Sequence, residues 1–269
     1  MIKADLRIMK SMLKKINAIG IDCARMTIGD QKLRGRYVDP AHVEMLDMTM
    51  KLKNCKYKPM EFAIDLETLN TRINPLPTGN IKKRDNPENI LQIKPKIKKQ
   101  KDKDEITHLY FSHPMLKFQK VLQDVNQVVD SKFPKGVLDA VEATANINTR
   151  QFKIFMKIAN AEIDHMYFIA EKKTNKLYAE FKNDEDETVT TDLTYSLGGI
   201  EGIDLQFLKK KVERIKAIFS VDYMVGIVNL IDAPIIKIGL KNDNPIIIWW
   251  NEQDLLEGIY LLAPRVESE

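Results

Sequence analysis

The sequence is poor in the residues that build disulfide-stapled folds and metal centres. It contains two cysteines, Cys23 and Cys55, and four histidines in 269 residues. Two thiols are too few for a disulfide framework, and both lie in apolar sequence, so we expect two buried free thiols. The histidines do not show the close spacing of metal ligands. We therefore expect no metal site and no cofactor. The histidines are His42, His108, His113 and His165.

Long apolar runs and catalytic motifs are also missing. No apolar stretch approaches the ~18 residues that a membrane span needs. The first residues, MIKADLRIMKSM, lack the apolar centre of a secretory signal. We expect an intracellular protein with no membrane partner. There is no glycine-rich phosphate loop either, so the sequence predicts a protein that is not an enzyme.

One acidic cluster leaves a metal-dependent enzyme open as an alternative. Carboxylate oxygens are the ligands that hard divalent cations prefer. These acids have no histidine near them in the sequence, so we favour a solvated turn over a metal site. The cluster consists of Asp184, Glu185, Asp186 and Asp192.

The positive charge of the chain is concentrated in one segment. The whole sequence has 42 basic and 38 acidic residues, which gives a net charge of +4. Residues 82–103 hold nine Lys or Arg and three Asp or Glu, and the other residues sum to −2. Four prolines fall within residues 74–104, so we predict an extended, mobile, solvated insertion there. A nucleic-acid-binding module that uses this basic segment is a second alternative, although the segment lacks aromatic residues for stacking on bases.

A pattern of helix, strand, turn and strand occurs twice. Apolar residues recur at helical spacing in residues 9–19 and again in 150–162. Each helix is followed by a stretch that begins Ile-Asp, at Ile21 and at Ile163, which gives an offset of 142 residues. The repeat predicts two similar halves.

A second pair of elements supports the duplication. Residues 62–73 and 218–231 each run from a strand into a short amphipathic helix. Further strands are predicted at 108–111 and 235–250. The sequence thus indicates an α+β protein with two similar domains. The predicted divisions are an N-terminal domain at 1–114, a connecting segment at 115–136 that is helical or irregular, and a C-terminal domain at 137–269.

Four stretches, in order along the chain, resemble the proliferating cell nuclear antigen (PCNA) family, the DNA sliding clamps of archaea and eukaryotes. They are VDPAHVEMLDMTM at 38–50, IDLETL at 64–69, DNPIIIWW at 243–250 and LLAPRVE at 261–267. The Asp-Pro-Ala-His sequence is closer to that of the archaeal members of the family. The resemblance covers most of the chain and is weakest in 74–104 and 112–136.

The resemblance implies the clamp fold, with helices that line a hole and antiparallel sheets outside them. It implies a ring, usually of three subunits, around double-stranded DNA that is held without regard to sequence. The ring is a homotrimer, or a heterotrimer with paralogues. The implied partners are a replication factor C-type loader ATPase, DNA polymerase, flap endonuclease and DNA ligase, which dock through a glutamine-containing motif called the PIP box. The implied role is that of a processivity factor in replication and repair.

Basic residues on the predicted helices are the candidate DNA contacts. Lys and Arg contacts to phosphate are independent of sequence and allow sliding. The alternative is an ordinary solvated helix face. The second and fourth helices carry few cations, which departs from the family. The candidates are Lys10, Lys14, Lys15, Arg72, Arg150, Lys153 and Lys157.

The partner groove is implied near the C-terminus. Pro264 ends the last strand, and we expect this stop to leave a backbone edge to which a partner adds. The alternatives are that the apolar members are core, as Met45 could be, and that His42 only caps a loop. Asp39, in the loop at the start of 38–50, is also implied to belong to the groove. The implied hollow is Val38, Met45, Phe133, Pro245 and Leu262. The implied glutamine pocket is His42, Ser220 and Ala263, and the implied backbone is Ala263, Pro264 and Val266.

Two edge strands are implied to join neighbouring subunits. The matching stretches are 115–122 and 174–182. Unpaired edge strands are a liability that ring closure removes.

Deletion of 82–103 discriminates between the two binding modes: a clamp keeps its ring and partners, whereas a protein that binds DNA through this segment loses DNA affinity.

Overall fold

The computed structural model describes residues 1–79, 86–99, 104–182, 187–195 and 204–265. Within these ranges no helix is long and apolar enough to cross a membrane. The chain forms two compact units. Unit 1 consists of Met1–Pro40, Leu46–Lys132 and Gln253–Glu257, and unit 2 of Ala41–Met45, Phe133–Glu252 and Gly258–Glu269.

Unit 1 contains two antiparallel arrays of strands and two helices. In one array the strand order is β1-β6-β7-β8, and in the other it is β4-β3-β2-β5. The two helices pack against each other. The elements are β1 (Ile2–Asp5), α1 (Leu6–Ala18), β2 (Cys23–Gly29), β3 (Lys32–Val38), β4 (Glu44–Lys51), β5 (Met60–Asp65), α2 (Leu66–Ile73), β6 (Ile90–Lys98), β7 (Glu105–His113) and β8 (Leu116–Val121).

Unit 2 repeats this arrangement. Its strands form the arrays β13-β9-β15-β16-β17 and β12-β11-β10-β14, and its two helices again pack together. The elements are β9 (Ala143–Asn148), α3 (Thr149–Glu162), β10 (His165–Glu171), β11 (Lys176–Lys182), β12 (Thr188–Asp192), β13 (Asp204–Phe207), β14 (Arg214–Ser220), α4 (Val221–Val228), β15 (Ile235–Leu240), β16 (Ile246–Glu252) and β17 (Leu256–Leu262).

The predicted α+β class and the duplication are confirmed. Leaving out β13, each unit follows the order strand, helix, four strands, helix and three strands, with the same pairing of strands. Strands β2 and β10 begin at Cys23 and His165, which lie 142 residues apart. The same hydrophobic pattern therefore builds the same pair of helices twice.

Short polar side chains start three of the four helices. The Asp5 carboxylate accepts hydrogen bonds from the backbone N–H groups of Arg7 and Ile8, and the Asn148 amide oxygen accepts the equivalent pair in α3. Asp65 caps α2 in the same way. Such caps satisfy backbone donors that have no partner inside the helix. Helix α1 begins at Leu6, three residues earlier than predicted, because the Asp5 cap lies before the first periodic residue.

The prediction of a mobile insertion at 74–104 was wrong in its described part. Residues 90–98 form β6, which pairs with β1 on one side and β7 on the other. Leu91, Ile93 and Pro95 are buried, whereas Lys94 and Lys96 are exposed. A register shift after Lys96 lies beside the proline, which cannot donate to a ladder. Deletion of 82–103 would remove this interior strand, so it does not test DNA binding.

Of the two predicted edge stretches, 115–122 agrees with the structure, because residues 116–121 form strand β8 at the edge of its array. The helical alternative for these residues is excluded. Strand β11, within the predicted edge stretch 174–182, lies between β10 and β12, so β12 is the edge strand of that array. Cys55 is buried as predicted, but Cys23 is only half-buried and its thiol lies 2.7 Å from the Gln123 amide oxygen.

Two buried tyrosines differ in whether their hydroxyl has a partner. The Tyr260 hydroxyl donates to the Glu44 carboxylate at 2.7 Å, and both residues belong to unit 2. In unit 1 the Tyr37 hydroxyl is buried and makes no hydrogen bond to any residue that the structure describes. Burial raises the pKa of Tyr37, and the nearby Asp47 carboxylate adds to this effect.

The two tyrosines make a matched test of what holds the segment Ala41–Met45 in unit 2. Tyr260→Phe removes a donor from a buried carboxylate, and we expect the free energy of unfolding to fall by about 2 kcal/mol. Tyr37→Phe removes a hydroxyl that has no described partner, and we expect a change within about 0.5 kcal/mol. Urea denaturation measures both. Equal losses in the two variants would contradict this account.

Asp65 connects helix α2 to strand β8. Its carboxylate accepts from the Lys120 ammonium at 2.7 Å and from the Thr68 hydroxyl at 2.8 Å. The Lys120 hydrogen bond is the main cause that lowers the pKa of Asp65 from 3.8 to about 2, with Thr68 adding to it and burial opposing it. Because the pKa is lower in the folded state, the stabilisation is complete above about pH 4 and is lost as the pH falls towards 2.

We expect Asp65→Asn to lower the free energy of unfolding by about 1 kcal/mol at pH 7, because asparagine keeps the N-cap but loses the charged hydrogen bond to Lys120. The gap from the parent protein should narrow when urea denaturation is repeated at pH 3. Glu67→Gln, which changes an exposed carboxylate of the same helix, is the control. A gap that stays constant from pH 7 to pH 3 would show that the Asp65 charge contributes nothing.

Candidate functional site

The predicted DNA contacts lie on the helix pair of each unit. Within unit 2, several of the predicted groove residues lie on or beside the C-terminal segment that follows β17. The structure changes the role of several residues in both sets.

Lys10 holds the helix pair of unit 1 together. Its ammonium donates to the backbone carbonyl of Leu76, just beyond the end of α2. Partial burial lowers the pKa of Lys10, and the neighbouring Lys14 ammonium lowers it further. The Lys10 ammonium therefore already has a carbonyl as its hydrogen-bond partner before it meets any phosphate.

Lys153 makes the equivalent contact in unit 2. Its ammonium donates at 2.6 Å to the carbonyl of Ile231, just beyond the end of α4. Burial lowers the pKa of Lys153, while the carboxylates of Asp232 and Glu252 oppose the shift. Each unit thus uses one lysine of its first helix to bind the chain at the end of its second helix. The sequence pattern did not predict this structural role.

Lys15 was wrongly placed among the DNA contacts. Its side chain has no exposed surface, and its ammonium donates to the Ser11 hydroxyl at 2.5 Å. In the described structure this charge cannot reach a ligand outside the protein. The burial of Lys15 was not predictable from the sequence, because a lysine next to a lysine on an amphipathic helix is normally solvated.

The remaining predicted cations are exposed. Arg72 lies over the Phe118 ring, with 5.1 Å between the guanidinium carbon and the ring centroid. Helix α4 has no cation, and Asn229 follows its last residue. The exposed helix cations are Lys14, Arg72, Arg150 and Lys157.

The C-terminal segment uses its own backbone donors within unit 2. The Ala263 N–H donates to the Val43 carbonyl at 2.8 Å, and the Arg265 N–H donates to the Ile218 carbonyl at 2.9 Å. Pro264, between them, has no N–H. The last strand ends at Leu262, just before Pro264 as predicted, but the Arg265 N–H beyond the proline is not left free for a partner. Through residue 265, a partner that adds as a strand can use only the carbonyl groups of this segment.

Two residues that the sequence analysis did not assign to the site lie beside this segment. The Arg265 guanidinium donates to the Nδ1 atom of His165 at 3.1 Å. His165 is directly opposite Ser220 in the β10–β14 ladder. The acceptor role of Nδ1 requires a neutral imidazole, because arginine can only donate. The basic residue of the Ala-Pro-Arg stretch was the one sequence feature that could have pointed to Arg265.

The predicted groove residues divide by exposure. Asp39, Met45 and Leu262 are buried, so the expectation that they contact a partner was wrong, and the core alternative for Met45 holds. His42 is exposed and has a φ of 57°, the left-handed conformation of a tight loop. Val266 lies outside the described residues. The half-buried members are Val38, Phe133, Ser220, Pro245, Ala263 and Pro264.

The acidic cluster contributes one described residue, Asp192. Its carboxylate binds the Lys176 ammonium at 2.9 Å and the Thr194 hydroxyl at 2.6 Å. Asp184, Glu185 and Asp186 lie outside the described residues. No group of three or more potential metal ligands occurs in the part of the chain that the structure describes.

The chain resembles known clamp proteins in sequence and in fold, although no family model matches it. The DNA polymerase sliding clamp of Methanothrix thermoacetophila is 24% identical over 276 residues, which cover all of both chains. The predicted resemblance to sliding clamps is therefore confirmed along the whole sequence.

Solved structures give the same result for the fold. A structure of A. fulgidus PCNA with the C-terminal region of FEN-1 bound superposes with a TM-score of 0.79 at 18% identity and covers all of both chains. PCNA from Thermococcus kodakaraensis gives a TM-score of 0.75 at 19% identity, over 98% of this chain and all of that one. The predicted clamp fold is confirmed.

Proposed function

We propose that this chain is a DNA polymerase sliding clamp, a ring subunit that encircles duplex DNA and tethers replication and repair enzymes to it. The observation that carries the proposal is the extent of the likeness, because sequence and fold both match clamp proteins from end to end. The duplicated helix-and-sheet unit supports it, since a ring of identical arcs can be assembled from such repeats.

The edge strands supply the surfaces for ring closure. Strand β8 ends one array of unit 1, and β12 ends one array of unit 2. Met115 and Val121, just before and at the end of β8, are 70% and 63% exposed. Exposed apolar residues along an edge strand favour a covering partner. We propose that β8 of one subunit pairs with β12 of the next, in a homotrimer or in a heterotrimer with paralogues.

The exposed helix cations are the proposed DNA contacts. Lys14, Arg72, Arg150 and Lys157 can each neutralise a phosphate without reading a base. Four cations per subunit are consistent with a loose hold that permits sliding. Lys10 and Lys153 are secondary contacts in this proposal because each ammonium already binds a carbonyl.

The proposed clamp does no chemistry of its own. A replication factor C-type ATPase would load it, and DNA polymerase, flap endonuclease and DNA ligase would dock on it through PIP-box peptides. The flap endonuclease is supported by the similar clamp structure that carries the C-terminal region of FEN-1. The proposed location is that of the chromosome, which is the cytoplasm and nucleoid in an archaeon or the nucleus in a eukaryote.

The groove is tested at Ala263 and Pro264. We expect Ala263→Asp with Pro264→Gly to weaken binding of a fluorescent PIP-box peptide at least tenfold. The first substitution places a charge in a half-buried position, and the second removes the fixed backbone conformation of proline. Fluorescence anisotropy measures the affinity, and native mass spectrometry confirms that the assembly is intact. Lys94→Ala is the control. Undiminished binding in an intact assembly would remove this segment from the groove.

Encirclement is tested by topology. A homotrimer should have a native mass of about three times 31.0 kDa, and clamps loaded on closed circular DNA should be retained but lost when the circle is cut. Arg150→Glu with Lys157→Glu should lower loading severalfold, because the phosphate attraction becomes repulsion. Lys94→Glu with Lys96→Glu changes the charge equally on β6 and is the control. Equal retention on linear and circular DNA would refute encirclement.

A further inference from the structure

A hollow lined by arginines lies on the polar face of the β4-β3-β2-β5 array in unit 1. Its volume is about 250 Å³. Three arginines from two neighbouring strands face it, together with hydroxyl side chains and the connecting segment at 129–131. The lining residues that matter here are Arg25, Thr27, Arg34, Arg36, Thr49 and Ser131.

Two of the arginines, Arg25 and Arg36, are held by acids of the same sheet. The Arg36 guanidinium donates twice to one oxygen of Asp47, at 2.6 and 2.8 Å. The Arg25 guanidinium donates to Glu61 at 3.2 Å. These pairs fix both side chains and neutralise their charge.

Arg34, two residues before Arg36 on β3, has no such partner. It is exposed on β3, directly opposite Thr27 on β2, and it makes no ion pair with any residue that the structure describes. An arginine fork beside hydroxyl donors matches a carboxylate, which accepts two parallel hydrogen bonds. The hollow therefore provides one available positive charge in a polar, preformed setting.

Val38, one of the implied groove residues, lies on the same strand as two arginines of the hollow. Arg34, Arg36 and Val38 alternate along the same face of β3, so Arg34 is about 13 Å from Val38 at the rise of a β-strand. Val129, on the connecting segment that lines the hollow, is 77% exposed and can contact an apolar residue of a ligand. A peptide that binds at Val38 and runs along this face of β3 would pass the Arg36–Asp47 pair and then reach Arg34, with Val129 lining the same hollow.

We propose that this hollow is a specificity subsite for partner peptides, which binds an Asp or Glu that flanks the apolar anchors of the docking motif. The inference rests on the proposed function of the groove. A peptide suits the site better than nucleic acid does, because the acids Asp47 and Glu61 interrupt the positive charge and the hollow admits side chains rather than a duplex. Asp130, at the rim, opposes the guest carboxylate and sets an upper limit on its affinity.

The experiment compares labelled peptides that share the same anchor residues. Two carry Asp-Glu, one before and one after the anchors, and the others carry Ser-Ala or Lys-Lys. We expect one acidic peptide to bind about fivefold tighter than the neutral peptide, as a partly exposed ion pair allows, and the Lys-Lys peptide to bind more weakly than the neutral one. Arg34→Glu should reverse this order, and Asp130→Asn should raise affinity for the acidic peptide only. Lys94→Glu, with the same charge change on β6, should leave the order intact.

The outcomes separate the subsite from the groove. If the neutral peptide binds but the flanks make no difference, or if Arg34→Glu keeps the acidic preference, the subsite is refuted and the groove stands. If Arg34→Glu weakens only duplex binding, the hollow is a nucleic-acid surface and the inference is overturned. If no peptide binds the parent protein, the groove and the subsite both fail.

Discussion

The hydrogen bond between a lysine ammonium and a backbone carbonyl fixes the helix pair in both units. Lys10 binds the Leu76 carbonyl and Lys153 binds the Ile231 carbonyl, each just beyond the second helix of its unit. The position of the first helix against the second decides which cations of the pair are exposed to solvent. Partial burial strengthens the contact, because a carbonyl dipole is worth more to an ammonium that has lost part of its water. The orientation of the exposed cations on the proposed DNA surface therefore depends on Lys10 and Lys153, whose ammonium groups already bind carbonyls.

Helical periodicity and the internal repeat were sufficient to predict the architecture. The buried stripe of α1, with Met9, Met12, Leu13 and Ile16, was predicted from spacing alone and is confirmed. Strand β6 was missed although Leu91, Ile93 and Pro95 alternate with polar residues. A proline and a high lysine content disguised the period-two pattern, and only pairing on both sides reveals an interior strand. Local sequence does not encode that pairing.

The proposed site was predicted in outline but not in its working details. Family resemblance pointed to the C-terminal segment, and the structure shows its donors bound to Val43 and Ile218. Resemblance also assigned contact roles to Asp39, Met45 and Leu262, which are buried. Whether an apolar residue lies on a groove or beneath it depends on the packing of chain segments that are distant in sequence. The arginine hollow follows the same rule, because its residues come from two strands and a loop.

The exposed lysines of β6 contribute to the surface charge of this protein but not to its buried core. Lys94, Lys96 and Lys98 are all exposed, spaced two residues apart along a strand whose intervening positions include the buried Pro95. Their spacing is fixed at about 6.6 Å by the strand itself. Exchange of these side chains changes the surface potential of unit 1 while the buried residues stay in place. Mutation can thus adjust the net charge and solubility of the chain in single steps, at positions where the buried residues are left unchanged.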